Sequence, residues 1–479
     1  MSKKQVAADT EETAPVDDKK NESPCKVVLK NLDPVGARDR VLDKYHQRMR
    51  FLTDRQKLLV HDGCRYGNFP HLAEGLALEV LKKVHLEYQE GMLNVDEYGE
   101  PVELKTLLQF QAKVRTLGMM QQVLKLVRLD SRIHALSKEF DANPYAINLE
   151  NGLFDLQSQT LTPHNPSQLV TKLARVSWIP DAQCAFWEDF IDEITCGDKE
   201  LAAYLQRLCG YCLSGSTQEE VLPILYGAGA NGKSLFLGTL RDLLGSGEYS
   251  HTLSPDSILN SRSYGISYEH RQLEGKRTAL AIEINDKSTL NEAVVKSFTG
   301  GDETSGRAIG ENPVQFKPQA KIIMAVNHLP SLVGSDRGIR RRLQVVPFKA
   351  NFDCTIRKEE IESQIMAEKE GVFAWMVRGF KEWQAQGLNP PEVIRKATEA
   401  YFQVNDHIGT YLADRTVADA NAKMPVKHLH EDYKAWALDS GLKPLGKKQL
   451  GDLLRSRGFE QDRSGLTRFW KGLALNYAG

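Results

Sequence analysis

The sequence predicts an α/β fold centred on a phosphate-binding loop. Three observations carry that expectation. Residues 221–245, VLPILYGAGANGKSLFLGTLRDLLG, set an apolar run (Val221 to Tyr226) ahead of a glycine-rich turn and an apolar-periodic stretch, which reads as strand, loop and helix. Two further apolar runs follow, Thr278 to Ile284 and the AKIIMAVNH segment that reaches Asn327, each of the length of a buried strand. Around this core the pattern is helical over residues 36–144, and helix, helix and a short strand pair over 421–479.

The composition is that of an ordinary globular protein. At 479 residues the chain has room for two to four domains, and its net charge of -1 means that any nucleic-acid surface has to be local. No apolar run approaches the length of a membrane span and no signal peptide opens the chain, so a cytoplasmic setting without membrane partners is the expectation. Seven cysteines show no disulfide framework. Cys209 and Cys212 form a lone C-x-x-C within a helical stretch, which reads as a core pair rather than as zinc or redox chemistry.

In chain order, residues 1–35 read as a disordered tail, polar and mixed in charge. Residues 36–144 carry apolar residues at three- and four-residue steps and are expected to form a helical domain. Its cations (Arg38, Arg40, Lys44, Arg48, Arg50, Arg55, Lys57) read as a solvated face, with a DNA-facing collar as the alternative. His61, His71 and His85 lack paired ligand spacing. Residues 145–215 form a small α+β region: a β-rich insert with Asn-Gly, Pro and Ser turns, then two amphipathic helices. The core spans 216–350, and a helical linker covers 351–420.

Within the core, Gly227-Ala228-Gly229-Ala230-Asn231-Gly232-Lys233-Ser234 fits G-x-x-x-x-G-K-[ST]. The glycines let successive backbone N–H groups face phosphate oxygens, and the helix N-terminus adds positive potential. Lys233 is expected on the β- and γ-phosphates of ATP, and Ser234 on Mg²⁺. GAGANG also satisfies the dinucleotide fingerprint G-x-G-x-x-G, but Lys-Ser directly after it favours the phosphate loop, and no clear strand ending in an acid follows at the distance that fingerprint wants. Glu283, near the end of the second strand, suits Mg²⁺ and the attacking water. Burying an unpaired carboxylate is expensive, so a role with a cation is the better account of it. Asn327, at the end of the third strand, can position water, or be a turn residue. Arg337, Arg340, Arg341 and Arg342 can supply a finger to a neighbouring subunit's phosphate, or form a solvated or nucleic-acid-contacting loop. Arg307 stands between two extended pieces and can be the tip of a DNA-holding hairpin, or of an ordinary surface one.

Taken in order, NGLFDLQSQTLTPH, AYLQRLCGYCLSG, GAGANGKS, LNEAVVKSFTGGD, AVNHLP and RRLQVVPF resemble the superfamily 3 helicase module of the phage/plasmid primase-helicase family, the group of the satellite-phage and poxvirus primase-helicases. The resemblance covers about 145–350. It implies an AAA+-like P-loop ATPase core that assembles as a ring, usually a hexamer, and unwinds forked or duplex DNA by moving on single-stranded DNA, typically 3′ to 5′. Carried over, Lys233 and Ser234 bind phosphate and metal, Glu283 is the Walker B acid and Asn327 the sensor. Arg341 or Arg342 is the finger, and Lys296 and Arg307 lie in the DNA-contacting stretch. Two departures stand out. Asn285 replaces an acid two residues after Glu283, with Asp286 beyond it, and Arg340 stands where an aromatic is common.

The tail, 421–479, resembles the winged-helix domain that ends many members of the family. It holds 11 Lys and Arg against 6 Asp and Glu, an excess of five, and Lys447, Lys448, Arg455 and Arg457 fall on or beside its second helix as candidate DNA contacts. A protein-docking wing is the alternative. Residues 1–144 show no pair of strand aspartates with a nearby histidine, so a primase domain is expected to be absent, with priming by a separate primase, polymerase or origin-binding partner. The expected function is a replicative DNA helicase of a phage or mobile element. The alternatives are an origin-binding initiator with weak unwinding, the helicase part of a primase-helicase, and a regulatory ring that binds ATP without unwinding.

Overall fold

The computed structural model describes residues 30–89, 94–95, 100–259, 271–282, 288–306, 313–332, 337–352, 358–442, 444–464 and 467–476. The chain divides into two compact units, one over residues 1–60 and 68–136 and the other over 61–67 and 137–479.

The first unit packs helices α1 (Pro34–Tyr45), α2 (Pro70–Leu81), α3 (Leu104–Val114) and α4 (Leu117–Arg128) around Val41, Leu42, Leu76, Leu107, Phe110, Val123 and Val127. It is not wholly helical, contrary to the periodicity. Met49–Leu52 and Lys57–His61 are antiparallel strands β1 and β2, with Met49 opposite Val60 and Leu52 opposite Lys57. Short apolar runs do not distinguish strand from helix by period. Here the turn is made without glycine or proline, by Gln56 at φ 53°. Nor is Arg40 part of a solvated face. It is 2% exposed and ion-paired to Glu87, and it donates to the Asn31 carbonyl.

The second unit opens with the antiparallel meander β3 (Ala146–Leu149), β4 (Gly152–Asp155) and β5 (Thr160–Thr162), where the β-rich insert was expected. Helices α5 (Ala185–Ile194) and α6 (Lys199–Leu213) follow. Asp198 caps α6 by accepting from the Glu200 and Leu201 amides. Cys209 and Cys212 both lie buried on α6, and burial raises both thiols, Cys212 to about 12, so neither is poised as a thiolate.

The centre is a five-stranded parallel sheet. Its strands are β6 (Leu222–Tyr226), β7 (Ser250–Leu253), β8 (Thr278–Ile282), β9 (Lys321–Val326) and β10 (Leu343–Pro347), in the order β7-β8-β9-β6-β10. The run Thr278 to Ile284 is described as strand only to Ile282. The central strands read as unbroken apolar runs because helices cover both faces. On one side lie α6, α7 (Lys233–Leu244) and α11 (Lys369–Gln386), with Phe236, Leu240, Tyr204, Phe373 and Phe380 in a single core; α10 (Lys358–Ala367) adds Ile365. On the other lie α8 (Glu292–Thr299) and α12 (Glu392–Asn405), through Val295, Phe298, Tyr401 and Phe402. The short helix α9 (Arg337–Arg340) leads into β10. Strands Thr304–Gly306 and Val314–Phe316 pair antiparallel as the two legs expected around residue 307.

The C-terminal part begins with α13 (His407–Arg415) and strand β11 (Thr416–Pro425), which runs into α14 (Val426–Asp439) and α15 (Lys447–Ser456). The strand pair β12 (Gln461–Ser464) and β13 (Thr467–Leu475) closes it, in the order β11-β13-β12. The expected order of helix, helix and strand pair holds, with one strand added in front. Its own core gathers Ile408, Tyr411, Leu429, Tyr433, Leu450, Leu454 and Trp470.

Candidate active site

The glycine-rich loop leaves the C-terminal end of β6, the strand flanked by β9 and β10. The backbone turns through left-handed φ at Gly229 (111°), Ala230 (48°) and Gly232 (81°) before α7 starts at Lys233. Two glycines are required by space. A Cβ on Gly227 would stand 2.0 Å from Asn231 Nδ2, and one on Gly232 would stand 2.4 Å from Ile194 of α5. At Gly229 a Cβ would meet nothing within 4 Å, so the bend opens onto free space.

Lys233 is 5% exposed, and its ammonium lies across the loop. It donates to Gly227 O and Asn231 Oδ1, both at 2.8 Å, and to Asn327 Oδ1 at 3.2 Å. The structure thus brings together two sequence-predicted residues 94 positions apart. Register explains it: Tyr226 pairs with Val326, so the loop and Asn327 leave the same end of neighbouring strands. Among the described residues the partners of Lys233 are neutral oxygens, and desolvation lowers its pKa. Asn231, 3% exposed, also donates to Phe348 O at 3.2 Å, and Phe352 N donates to Ala230 O at 2.8 Å. The segment after β10 therefore laces the loop from outside, a role that the sequence reading missed and that nothing in the spacing signals. Ser234 is exposed at the start of α7, and the N-cap Gly232 offers no side-chain acceptor. The first-turn amides are left for an anion.

Glu283, Asn285, Asp286 and Arg307 lie outside the described residues. β8 reaches Ile282 beside Ala325, so it ends at the same edge as the loop and Asn327. Lys296 lies half-buried on α8.

The arginines sit at the opposite edge. Leu222 N donates to Arg342 O, and Leu222 pairs with Leu343, so Arg341 and Arg342 flank the beginning of β6 while the loop leaves its end. Four residue steps of strand, about 13 Å, separate the two edges. Arg342 is buried: it donates to Thr299 Oγ1 (3.0 Å), Gly338 O (2.8 Å) and Glu220 Oε2 (3.0 Å). It is therefore a fixed part of the fold, which leaves Arg341 as the exposed member of the expected finger pair. Arg341 has a side chain 64% exposed and donates to the same Glu220 oxygen at 2.8 Å. Arg340 stacks over Phe402, 4.7 Å from the ring centroid, which accounts for an arginine where an aromatic is common.

In the C-terminal part Lys447, Lys448 and Arg455 are exposed and share a groove with Lys427 and Arg468, two cations that the sequence reading did not single out. Arg457 is drawn inward instead, half-buried and ion-paired with Asp406 at the start of α13. Its side chain is thus engaged within the protein, unlike those of Lys447, Lys448 and Arg455.

The site is thus a glycine-rich loop on a parallel α/β sheet, with Asn327 beyond the neighbouring strand. Residues 38–196 match the family described as D5 N terminal like, 225–342 a family of unknown function (DUF5906), and 403–464 the family described as Poxvirus D5 protein-like. Over the first and last of these segments the chain is similar to D5-like proteins. It is 28% identical over 322 residues to "Putative helicase L207/L206" of Acanthamoeba polyphaga mimivirus, covering 62% of this chain and 33% of that protein. It is 23% identical over 377 residues to "Putative helicase 184R" of Invertebrate iridescent virus 6, covering 70% of this chain and 38% of that protein. The chain thus spans about a third of the length of these relatives. The solved A form apo structure of the NrS-1 C terminal region aligns over 92% of this chain at 12% identity with a TM-score of 0.47, too loose a superposition to define a shared fold. Among the described residues no helix is long and apolar enough to cross a membrane, and no cluster of three or more His, Cys, Asp or Glu side chains could hold a metal ion.

Proposed function

We propose that this chain is the ATP-dependent DNA helicase part of a viral or mobile-element replication protein, acting as a ring. The observation that carries the reading is the meeting of Lys233 and Asn327, 3.2 Å apart, at the mouth of a glycine loop that leaves a parallel strand. The strand order β7-β8-β9-β6-β10 supports an AAA+-like P-loop core of superfamily 3. The two helices and three-stranded sheet of residues 416–476 support a winged-helix module.

ATP is the substrate. Its phosphates would lie along the loop and the start of α7, where the bend at Gly229 opens onto free space. Lys233 would exchange Gly227 O and Asn231 Oδ1 for phosphate oxygens, and Asn327 would orient the attacking water. The exposed hydroxyl of Ser234 fits a ligand of Mg²⁺, which supplies charge neutralisation on the phosphates. Glu283 is the proposed partner of metal and water.

The arginine edge supports a shared site. Arg341 lies at the sheet edge opposite its own loop, so the phosphate it would reach is one on a neighbouring subunit. A ring, usually a hexamer in the family, supplies that neighbour. Single-stranded DNA would be held by the hairpin around Arg307, and translocation 3′ to 5′ follows the family. The basic groove of Lys427, Lys447, Lys448, Arg455 and Arg468 would take duplex phosphate, which also keeps an origin-binding role in view.

The test is ATP-driven unwinding of forked DNA with 3′-tailed and 5′-tailed substrates, using Lys233→Ala as control. Unwinding of the 3′-tailed fork alone, lost in the variant, is expected. DNA-stimulated ATPase without unwinding of either fork would favour the initiator.

A further inference from the structure

Glu220 belongs to none of the motifs above, yet one of its carboxylate oxygens holds both arginines. Oε2 accepts from Arg341 Nη2 at 2.8 Å and from Arg342 Nη2 at 3.0 Å. The two cations differ. The Arg342 side chain is 9% exposed and fixed by two further oxygens, Thr299 Oγ1 and Gly338 O. The Arg341 side chain is 64% exposed and pairs with Glu220. Glu220 itself sits at φ 51°, a left-handed backbone that a β-carbon disfavours. Its neighbour Glu219 is also anchored, accepting from Trp383 Nε1 at 2.7 Å. The turn into β6 is thus held from both sides in a conformation that aims one carboxylate at the arginine edge.

We infer that Glu220 is a positioning residue for the finger: it orients Arg341 toward the phosphate of a neighbouring subunit and is itself fixed by the buried Arg342. This rests on the trans-acting site proposed above. A guanidinium has five N–H donors in a rigid fork. One N–H on Glu220 leaves the others free for phosphate, so the same contact that restrains Arg341 still permits its use. Without it, a long exposed arginine samples many rotamers, and misplacement of a catalytic group by about 1 Å can cost about a hundredfold in rate. Thr299 ends α8, five residues ahead of the hairpin leg that starts at Thr304. Through Arg342, the end of that helix and the finger share one carboxylate.

The experiment is steady-state ATPase of Glu220→Gln, with Glu220→Asp beside it, and then subunit mixing. Glu220→Gln should lower kcat about ten- to a hundredfold with the KM for ATP within twofold, and Glu220→Asp should recover part of the loss. Glu220→Gln mixed with Lys233→Ala should regain turnover, because junctions form in which an intact loop meets an intact finger. Arg341→Ala mixed with Lys233→Ala is the control for the shared site. If that control regains turnover and the Glu220→Gln mixture does not, Glu220 acts within its own subunit and the inference is overturned alone. If neither mixture regains turnover, the shared site fails and takes the inference with it. Wild-type kcat in Glu220→Gln would also overturn it.

Discussion

The two ends of the central sheet both bury cations, but they treat them differently. At the C-terminal edge Lys233 reaches, among the described residues, only neutral oxygens, two from its own loop and one from Asn327, beside a bend that opens to free space. At the N-terminal edge the cations are locked. Arg277 donates to the carbonyls of Pro144 and Ala146 and to Gln319. Lys321 donates to the carbonyls of Ser214 and Gln319. Arg342 is held by Thr299, Gly338 and Glu220. A buried cation with replaceable contacts beside an opening is prepared for a ligand. One enclosed by oxygens from two or three separate segments holds the fold together. Arg341 is the exception at the locked edge, exposed and tethered by one carboxylate.

The largest effects should come from the two cations left available. Lys233→Ala should abolish measurable nucleotide binding and turnover together, read by calorimetric titration with ATP and by ATPase rate. Arg341→Ala should leave nucleotide affinity within about twofold and reduce turnover by about a thousandfold or more, the range of arginine fingers in related phosphoryl transfers. Arg342→Ala should behave as a locked cation: the midpoint of denaturant unfolding falls by about 2 kcal/mol equivalent, as for other lost hydrogen bonds to charged groups. An Arg342→Ala protein of wild-type stability but without turnover would reverse the assignment of the two arginines.

Next comes a pH effect confined to the locked edge. Burial lowers Lys321 to about 7 and Lys276 to about 8. Both values lie below those of the unfolded chain, so between them and about 10.5 the unfolded chain binds more protons than the folded one. Stability from these groups therefore rises with pH from about 7 to about 10.5 and is flat below. Denaturant unfolding measured from pH 7 to 10 should show a shallower rise in Lys321→Met than in the parent, and equal slopes would refute the lowered pKa of Lys321. Lys233 is also lowered by burial, but ATP should raise its pKa again, since phosphate favours the charged form.

The available edge was largely legible in the sequence, and the locked edge was not. Loop, strand and helix around Lys233 follow from local pattern, and Asn327 from a strand end, because both depend on residues adjacent in the chain. The division of labour between Arg341 and Arg342 depends on Glu220, more than 120 positions away, and on Thr299, and no spacing encodes either. Nor does any motif mark Arg277 or Lys321, whose partners lie on distant segments. The helical reading of residues 49–61 failed for a related reason: a turn at Gln56 carries no glycine or proline to mark it. In the tail the order of elements was legible, but the inward turn of Arg457 toward Asp406 was not.

The tail repeats the contrast on a smaller scale and gives the mildest test. Lys447 and Lys448 are exposed on the first turn of α15, whereas Arg457 spends its charge on Asp406 at the start of α13. Each phosphate contact contributes about 0.9 to the slope of log affinity against log salt for duplex DNA. The double substitution Lys447→Ala, Lys448→Ala should therefore lower that slope by about two with no change in unfolding midpoint. Arg457→Ala should leave the slope unchanged and lower the midpoint by about 1 kcal/mol equivalent, since its partner is partly exposed and the pair is screened. Fluorescence anisotropy of labelled duplex across a salt series separates the two. A slope change in Arg457→Ala would mean that this arginine leaves Asp406 for DNA, and that the distinction between locked and available cations stops at the sheet.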